Sequence, residues 1–403
     1  MLFRSTDQVD GLATTEDGPR PRQFNSDRRP QAIGTWSWTS EAEVGRSKQG
    51  SESFVPPRKA SLSQENPAET RTHVARPGTF GDFDVRIDPW QIEYGSELPI
   101  DARPEDGPEA VDLDVEASPA EWRPISPGEQ PHPTTLFFVD GVRCVEARLI
   151  VRRGDRLCHG ALGSFGVGAV QISGEYASWA AEQIGRLAVL GSGERFRHSV
   201  QLDRSLTYLP VSAVGDEPDA PLLEIHGEMR TAEERLARAL AEQPDTVVIV
   251  DGPLLSGESA RGQTVGFVKR LFRMYVPNEL LHVLRQLTVG TRSPVFAIRR
   301  SGRFSRFSWF VRLADPLLID ADLTGLARLE VSDVIGFDNA RRLADATSRL
   351  LPRYVPSRAR DPRAPQNLMP IGALEAHLRH RLGDTQIIRR RLATLIAQES
   401  RHV

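Results

Sequence analysis

Two apolar runs of strand-forming residues each end in Asp-Gly: Leu136-Phe137-Phe138-Val139-Asp140-Gly141 and Val247-Val248-Ile249-Val250-Asp251-Gly252. Short continuous runs rich in Val, Ile and Phe are predicted to be buried strands. Asp-Gly is predicted to be the strand exit, because glycine lets the backbone turn away at no steric cost. A buried strand that delivers a carboxylate at its end holds an oxygen ligand rigidly, and two such strands can present two carboxylates to one divalent cation.

The rest of the chain is predicted to be an α/β domain, a mixed sheet flanked by helices. Residues 1–75 are rich in Ser, Pro, Gly, Arg, Glu and Gln and have no sustained apolar period. They are expected to form a disordered N-terminal extension, or to precede the true start of the chain. The segment from Val85 to Trp90 reads as the beginning of the folded domain, which is assigned to residues 76–403. Strands are predicted at 135–139, 145–151 and 160–172, with a turn at Arg153-Gly154-Asp155, which makes an antiparallel start. A helix over 227–241, striped by Met229, Ala232, Leu236 and Leu240, leads into the second Asp-Gly strand and implies a crossover. A further helix is predicted over 262–275 and strands over 295–299 and 308–313. Two closing helices follow, over 370–382 and 385–399, the first bracketed by Pro370 and Gly383.

Composition narrows the function. The chain has 403 residues, ample for a core, and only two cysteines, Cys144 and Cys158, outside any metal or redox spacing. A reducing cytoplasm fits best. No apolar run approaches about 18 residues, and the N-terminus has no hydrophobic signal core, so neither membrane nor export is indicated. Gly160, Gly163, Gly166 and Gly168 form neither a dinucleotide fingerprint nor a phosphate loop, and no Gly-x-Ser-x-Gly elbow occurs. The net charge of -3 is unevenly spread. Acids crowd 101–121, whereas bases collect at Lys269-Arg270, Arg299-Arg300, Arg303, Arg306 and Arg389-Arg390-Arg391, a distribution suited to a polyanion. Between Arg299 and Trp309, Arg303 and Arg306 alternate with Phe304, Phe307 and Trp309. That pattern fits either a base-stacking surface or core-facing aromatics.

Phosphodiester hydrolysis needs a cation to offset phosphoryl charge and activate water. Asp140 and Asp251 supply two carboxylates. Glu228, Glu233 or Glu234 on the preceding helix would add a third, and His377 or His380 would complete a mixed oxygen and nitrogen site. Lys269 and Arg270 are placed either to contact phosphate or to cover a helix face with their stems.

These residues resemble the NurA nuclease family. The resemblance rests on Phe138-Val139-Asp140-Gly141, on Glu234 standing 17 residues before Asp251, on Val250-Asp251-Gly252-Pro253-Leu254, on Gly266-Phe267-Val268-Lys269-Arg270, and on Pro370 and His377. It implies an RNase H-like fold and a Mn²⁺- or Mg²⁺-dependent DNA nuclease acting on DNA ends and single strands in repair or end resection. It also implies a homodimer working with a HerA-type hexameric ATPase. Carried over residue by residue, Asp140, Glu234, Asp251 and His377 would bind metal, and Lys269 would offset charge on the scissile phosphate. The family tyrosine about eight residues before the histidine is replaced here by Met369. The spacing to Asp251 favours Glu234, whereas the apolar stripe turns Glu233 further inward, which makes Glu233 its rival. The alternatives are a non-cleaving DNA-binding or assembly subunit of a translocase and a phosphatase of small substrates.

Overall fold

The computed structural model describes residues 79–89, 109–128, 133, 135–254, 263–300, 305–359 and 361–399. The 1–75 extension, Arg303 and Phe304 lie outside the described residues. The strands are β1 (Asp84–Ile87), β2 (Glu109–Asp112), β3 (Thr135–Arg153), β4 (Arg156–Ser173), β5 (Tyr176–Leu190), β6 (Val200–Gln201), β7 (Thr207–Ser212), β8 (Thr246–Asp251), β9 (Thr264–Val268), β10 (Phe296–Arg300), β11 (Arg306–Arg312) and β12 (Leu326–Ser332). The helices are α1 (Ala220–Ala241), α2 (Leu281–Arg285), α3 (Phe337–Leu350), α4 (Met369–Leu382) and α5 (Thr385–Glu399). Among the described residues no helix is long and apolar enough to cross a membrane.

The strands join in the order β2-β10-β11-β12-β9-β8-β3-β4-β5-β7-β6, with β1 also paired to β3. β3, β4 and β5 form an antiparallel meander, while β8 runs parallel to β3 and β9 parallel to β8. Alternation of side chains assigns each face its helix. Phe137, Val139, Val248 and Val250 pack with Ala237 and Leu240 of α1. Phe138, Val142, Val247 and Ile249 pack with Leu343 of α3 and with Ile371, Leu374 and Leu378 of α4. The sheet is therefore covered by α1 on one face and by α3 and α4 on the other.

Two expectations are corrected and one open reading is decided. The first Asp-Gly is not a strand exit, because β3 runs unbroken for 19 residues and Asp140 and Gly141 pair with Gly168 and Val167 of β4. Gly141 is required there by close approach. A Cβ at that position would fall on Glu233 Oε1 and lie 2.9 Å from Met229 Cγ. Gly252 does terminate β8, with φ of 99°. The helix expected over 262–275 is replaced at its start by β9, whose Val265 and Phe267 are fully buried between β8 and β12. Thr-Val-Gly-Phe-Val suits a strand covered on both faces. The stretch from Arg306 to Trp309 is core: Trp309 is fully buried, and Arg306 pairs with Glu109 at 2.9 Å and Glu330 at 3.2 Å.

These ion pairs also explain the uneven charge. Glu109 and Glu116, from the acid-rich stretch, are counterions for buried arginines on or beside the strands that follow. Glu116 takes both terminal nitrogens of Arg292, at 2.7 and 2.9 Å, and the Val295 amide at 2.7 Å. Asp345 of α3 accepts from Arg292 Nε at 2.6 Å. Within the described residues, much of the acid-to-base complementarity is thus internal to the fold.

One buried carboxyl lacks full compensation. Glu146 is the extra residue of a β-bulge in β3, between Val145 and Ala147. Ser164 donates to its Oε1, and Arg186 Nη1 lies 3.7 Å from the same oxygen. Its Oε2 has no hydrogen-bond partner among the described residues. Burial pushes the Glu146 carboxyl up to about 7. Because this folded value exceeds the ordinary 4.5, stability from the neutral acid is present below pH 4.5 and lost as pH rises through about 7. The loss is on the order of 3 kcal/mol by pH 8. We predict that Glu146→Gln flattens this part of the pH dependence. Urea midpoints of the unaltered protein should fall between about pH 5 and pH 8 relative to those of E146Q. Parallel curves would refute the assignment.

Candidate metal centre

Register brings the two aspartates together. β3 and β8 are parallel neighbours with Phe138 opposite Ile249 and Val139 opposite Val250. The next step places Asp140 beside Asp251 on adjacent strands, which lie about 4.8 Å apart. Both belong to the residue set that faces α4, the parity of Phe138 and Ile249.

The third carboxylate comes from α4. Pro370 in the first turn and Gly383 at the C-cap, with φ of 93°, bound this helix. Its buried stripe runs Ile371, Leu374, Glu375, Leu378 and Leu382, so one glutamate occupies an otherwise apolar row against the sheet. Asp140, Asp251 and Glu375 offer ligand oxygens that all lie within 4.8 Å of one another. Asp140 is only 6% exposed, and its Oδ1 accepts from the Gly141 amide at 2.8 Å. Asp251 Oδ1 is buried with no hydrogen-bond partner among the described residues. An orphaned oxygen on one of three clustered carboxylates suits a hard cation that takes oxygen ligands.

Cations ring this cluster. Lys269, just beyond β9, places Nζ 2.5 Å from Asp251 Oδ2 and 3.9 Å from Glu375 Oε1 and donates to Asn367 Oδ1 at 3.1 Å. Arg363 Nη1 donates to both oxygens of Glu375, at 3.0 and 2.8 Å. Arg230 of α1 donates to Glu233 Oε2 at 2.5 Å, to the Asp251 carbonyl at 3.0 Å and to the Pro253 carbonyl at 2.6 Å. Burial, then the charges of Asp251 and Glu233, hold the Asp140 carboxyl well above the usual range, with Lys269 acting in the opposite sense. Burial works against the charge of Lys269, but Asp251 and then Asp140 raise its pKa above the ordinary lysine value. Lys269 is therefore a fixed positive charge inside the site.

Of the residues singled out in the sequence, Asp140, Asp251 and Lys269 meet here. Glu234 and Glu233 do not join the carboxylate trio, because α1 covers the opposite face of the sheet. Glu233 is buried against Gly141 and Arg230, and Glu234 lines a small cleft with Arg230, Val250, Pro253 and Leu254. His377 is held elsewhere: it hydrogen-bonds Glu182 of β5 at 2.8 Å and stacks on Trp179 at 4.2 Å. Two residues along a helix correspond to about 200° of rotation, so Glu375 and His377 cannot share a face. His380 is exposed, and Met369 opens α4 at 39% exposure. Sequence reasoning passed over Glu375. Its signal was present, since 371, 375, 378 and 382 define one helix face and a charge on an apolar stripe marks a polar contact.

No protein-family model matches this chain, and no match is found among curated proteins. Among solved structures, the crystal structure of the NurA nuclease from Sulfolobus solfataricus is similar at 12% identity. The match covers 57% of this chain and 76% of that one, with a TM-score of 0.33.

Because the folded pKa of Asp140 is raised, its charge lowers stability at pH values above the ordinary carboxylate range. We predict that Asp140→Asn, which keeps the acceptor for the Gly141 amide, melts higher than the unaltered protein at pH 7.5 in EDTA. The expected rise is about 1–2 °C for each kcal/mol relieved in a domain of this size. Mn²⁺ should raise Tm of the unaltered protein and leave that of D140N in place. Differential scanning fluorimetry measures both, and a lower Tm for D140N in EDTA would contradict the electrostatic reading.

Proposed function

We propose that this protein is a Mn²⁺- or Mg²⁺-dependent DNA nuclease with an RNase H-like core, whose metal ligands are Asp140, Asp251 and Glu375. The observation that carries this reading is the buried carboxylate trio, with an orphaned Asp251 oxygen, set across two adjacent parallel strands and one helix. A three-carboxylate set selects hard cations over zinc or copper, which favour His and Cys donors. The mixed sheet flanked by helices supports the RNase H-like assignment.

When bound, a divalent cation supplies charge compensation for a phosphoryl group and lowers the pKa of a water molecule. The protein's own groups set the frame. Asp140 and Asp251 are held by β-ladder pairing, so no reorganisation is needed to bring them together. Lys269, held by Asp251 and Asn367, would offer a permanent ammonium to offset charge on a scissile phosphate. Arg230 braces the exit of β8 through the carbonyls of Asp251 and Pro253.

A second reading, a DNA-binding or assembly subunit that does not cleave, is favoured by the cations already seated on the cluster and by Met369 at the family's tyrosine position. The sequence resemblance also carries the proposals of homodimer formation, action on DNA ends and single strands, and partnership with a HerA-type hexameric ATPase. Co-purification with such an ATPase tests the last of these.

Purified protein incubated with end-labelled single-stranded DNA is expected to degrade it with Mn²⁺ and not with EDTA. Asp140→Ala and Asp251→Ala should each lower the rate by at least about 100-fold. Retention of the DNA without cleavage would establish the second reading. Undiminished cleavage by both variants would remove the assigned site.

A further inference from the structure

The carboxylates around the trio are largely compensated without any metal, and the compensation is of two kinds. Asp140, Asp251, Glu375, Glu233 and Asp361 face Lys269, Arg230, Arg363 and Arg379. Arg230 and Lys269 are enclosed and tied down, the first by two backbone carbonyls and the second by Asn367. Arg363 and Arg379 reach in from outside, with side chains 46% and 66% exposed. Arg379 makes a single approach to Glu375 at 3.5 Å. Arg363 is different, because its Nη1 occupies both oxygens of Glu375 at once.

A cation that takes Glu375 as a ligand therefore competes with Arg363 for the lone pairs of those oxygens. The segment 361–367 provides for this. Asp361 lies 3.3 Å from Arg363 Nε, and the same carboxylate accepts from Asn367 at 2.9 Å. The guanidinium can leave Glu375 without losing its anchor. Released at the mouth of the site, it presents a planar fork of donors that matches phosphate. Five carboxylates face four cations here, so a divalent ion added to the cluster would leave excess positive charge, which an anionic substrate would satisfy.

Resting on the metal-centre reading above, we propose that Arg363 is an exchangeable counterion: it occupies Glu375 when no divalent cation is bound, and it turns to a phosphate of bound nucleic acid when the cation takes its place. Arg363 is thus both a brake on cation binding and a contact for the substrate. These two roles predict effects of opposite sign in one variant, which a merely structural arginine would not produce.

The test compares the unaltered protein, Arg363→Gln and Arg363→Lys, with Arg379→Gln as a control for general loss of surface charge. Mn²⁺ affinity is measured by isothermal titration calorimetry in the absence of DNA. R363Q is expected to bind Mn²⁺ about 2–5-fold more tightly, the worth of one half-exposed ion pair, while R379Q shows a smaller change. In steady-state cleavage of a short single-stranded oligonucleotide, R363Q should show a raised KM for DNA and a lowered Mn²⁺ requirement. R363K, which keeps the charge and loses the fork, should lie between. Unchanged or weaker Mn²⁺ binding by R363Q, with the unaltered protein binding normally, overturns the exchange alone. Failure of the unaltered protein to bind Mn²⁺ overturns the metal centre and the exchange with it.

Discussion

Two like charges are forced together by backbone pairing, and the local architecture answers to that constraint. The parallel ladder of β3 and β8 sets Asp140 beside Asp251 on the face that α4 covers, and neither can move away without breaking the central sheet. Repulsion at such a distance in a buried setting is costly unless it is offset. Lys269 and Arg230 offset it from two sides, one through a side-chain ion pair and the other through the carbonyls at the strand exit. A cluster arranged this way could hold a cation and has a cost in stability, as functional clusters commonly do.

The same economy of ion pairs runs through the other half of the sheet. Arg292, Arg306 and Arg328 are buried on strands or beside them, and each has carboxylates within hydrogen-bond distance. Glu330 links that network to the site, because its Oε1 accepts from the Leu254 amide just beyond the β8 exit. Removing one partner from such a network leaves an uncompensated buried charge, which costs more than the pair contributes when intact. The path of the chain after Asp251 is thus held by charged groups as well as by apolar packing.

Local signals in the sequence carried several elements through to the structure. Pro370 and Gly383 bracket α4, and the expected helix over 385–399 spans the same residues as α5. The stripe from Met229 to Leu240 packs α1 on the sheet, and Asp251-Gly252 ends a strand. Elsewhere the same signals misled. Asp140-Gly141 reads as a turn, yet β3 continues because β4 pairs across it and α1 needs the missing Cβ. Val265 and Phe267 were swept into a predicted helix because periodicity over five residues does not separate a buried strand from a helix turn. The alternation of Arg306, Phe307, Ser308 and Trp309 looked as much like a nucleic-acid surface as a core strand, and only its neighbours β10 and β12 decide.

The sequence by itself determined which side chains are available for chemistry: two aspartates on apolar strands, a lysine after a third, and helices whose caps and stripes are written locally. Tertiary structure alone decided which of them meet. Strand register put Asp140 level with Asp251, and the order of layers put α1 and its glutamates behind the sheet with α4 in front. The 3.6-residue turn of α4 then chose Glu375 and sent His377 to Trp179 and Glu182. Spacing along a chain specifies a face only within one element, whereas a metal site is assembled between elements, where pairing and packing supply the missing coordinates.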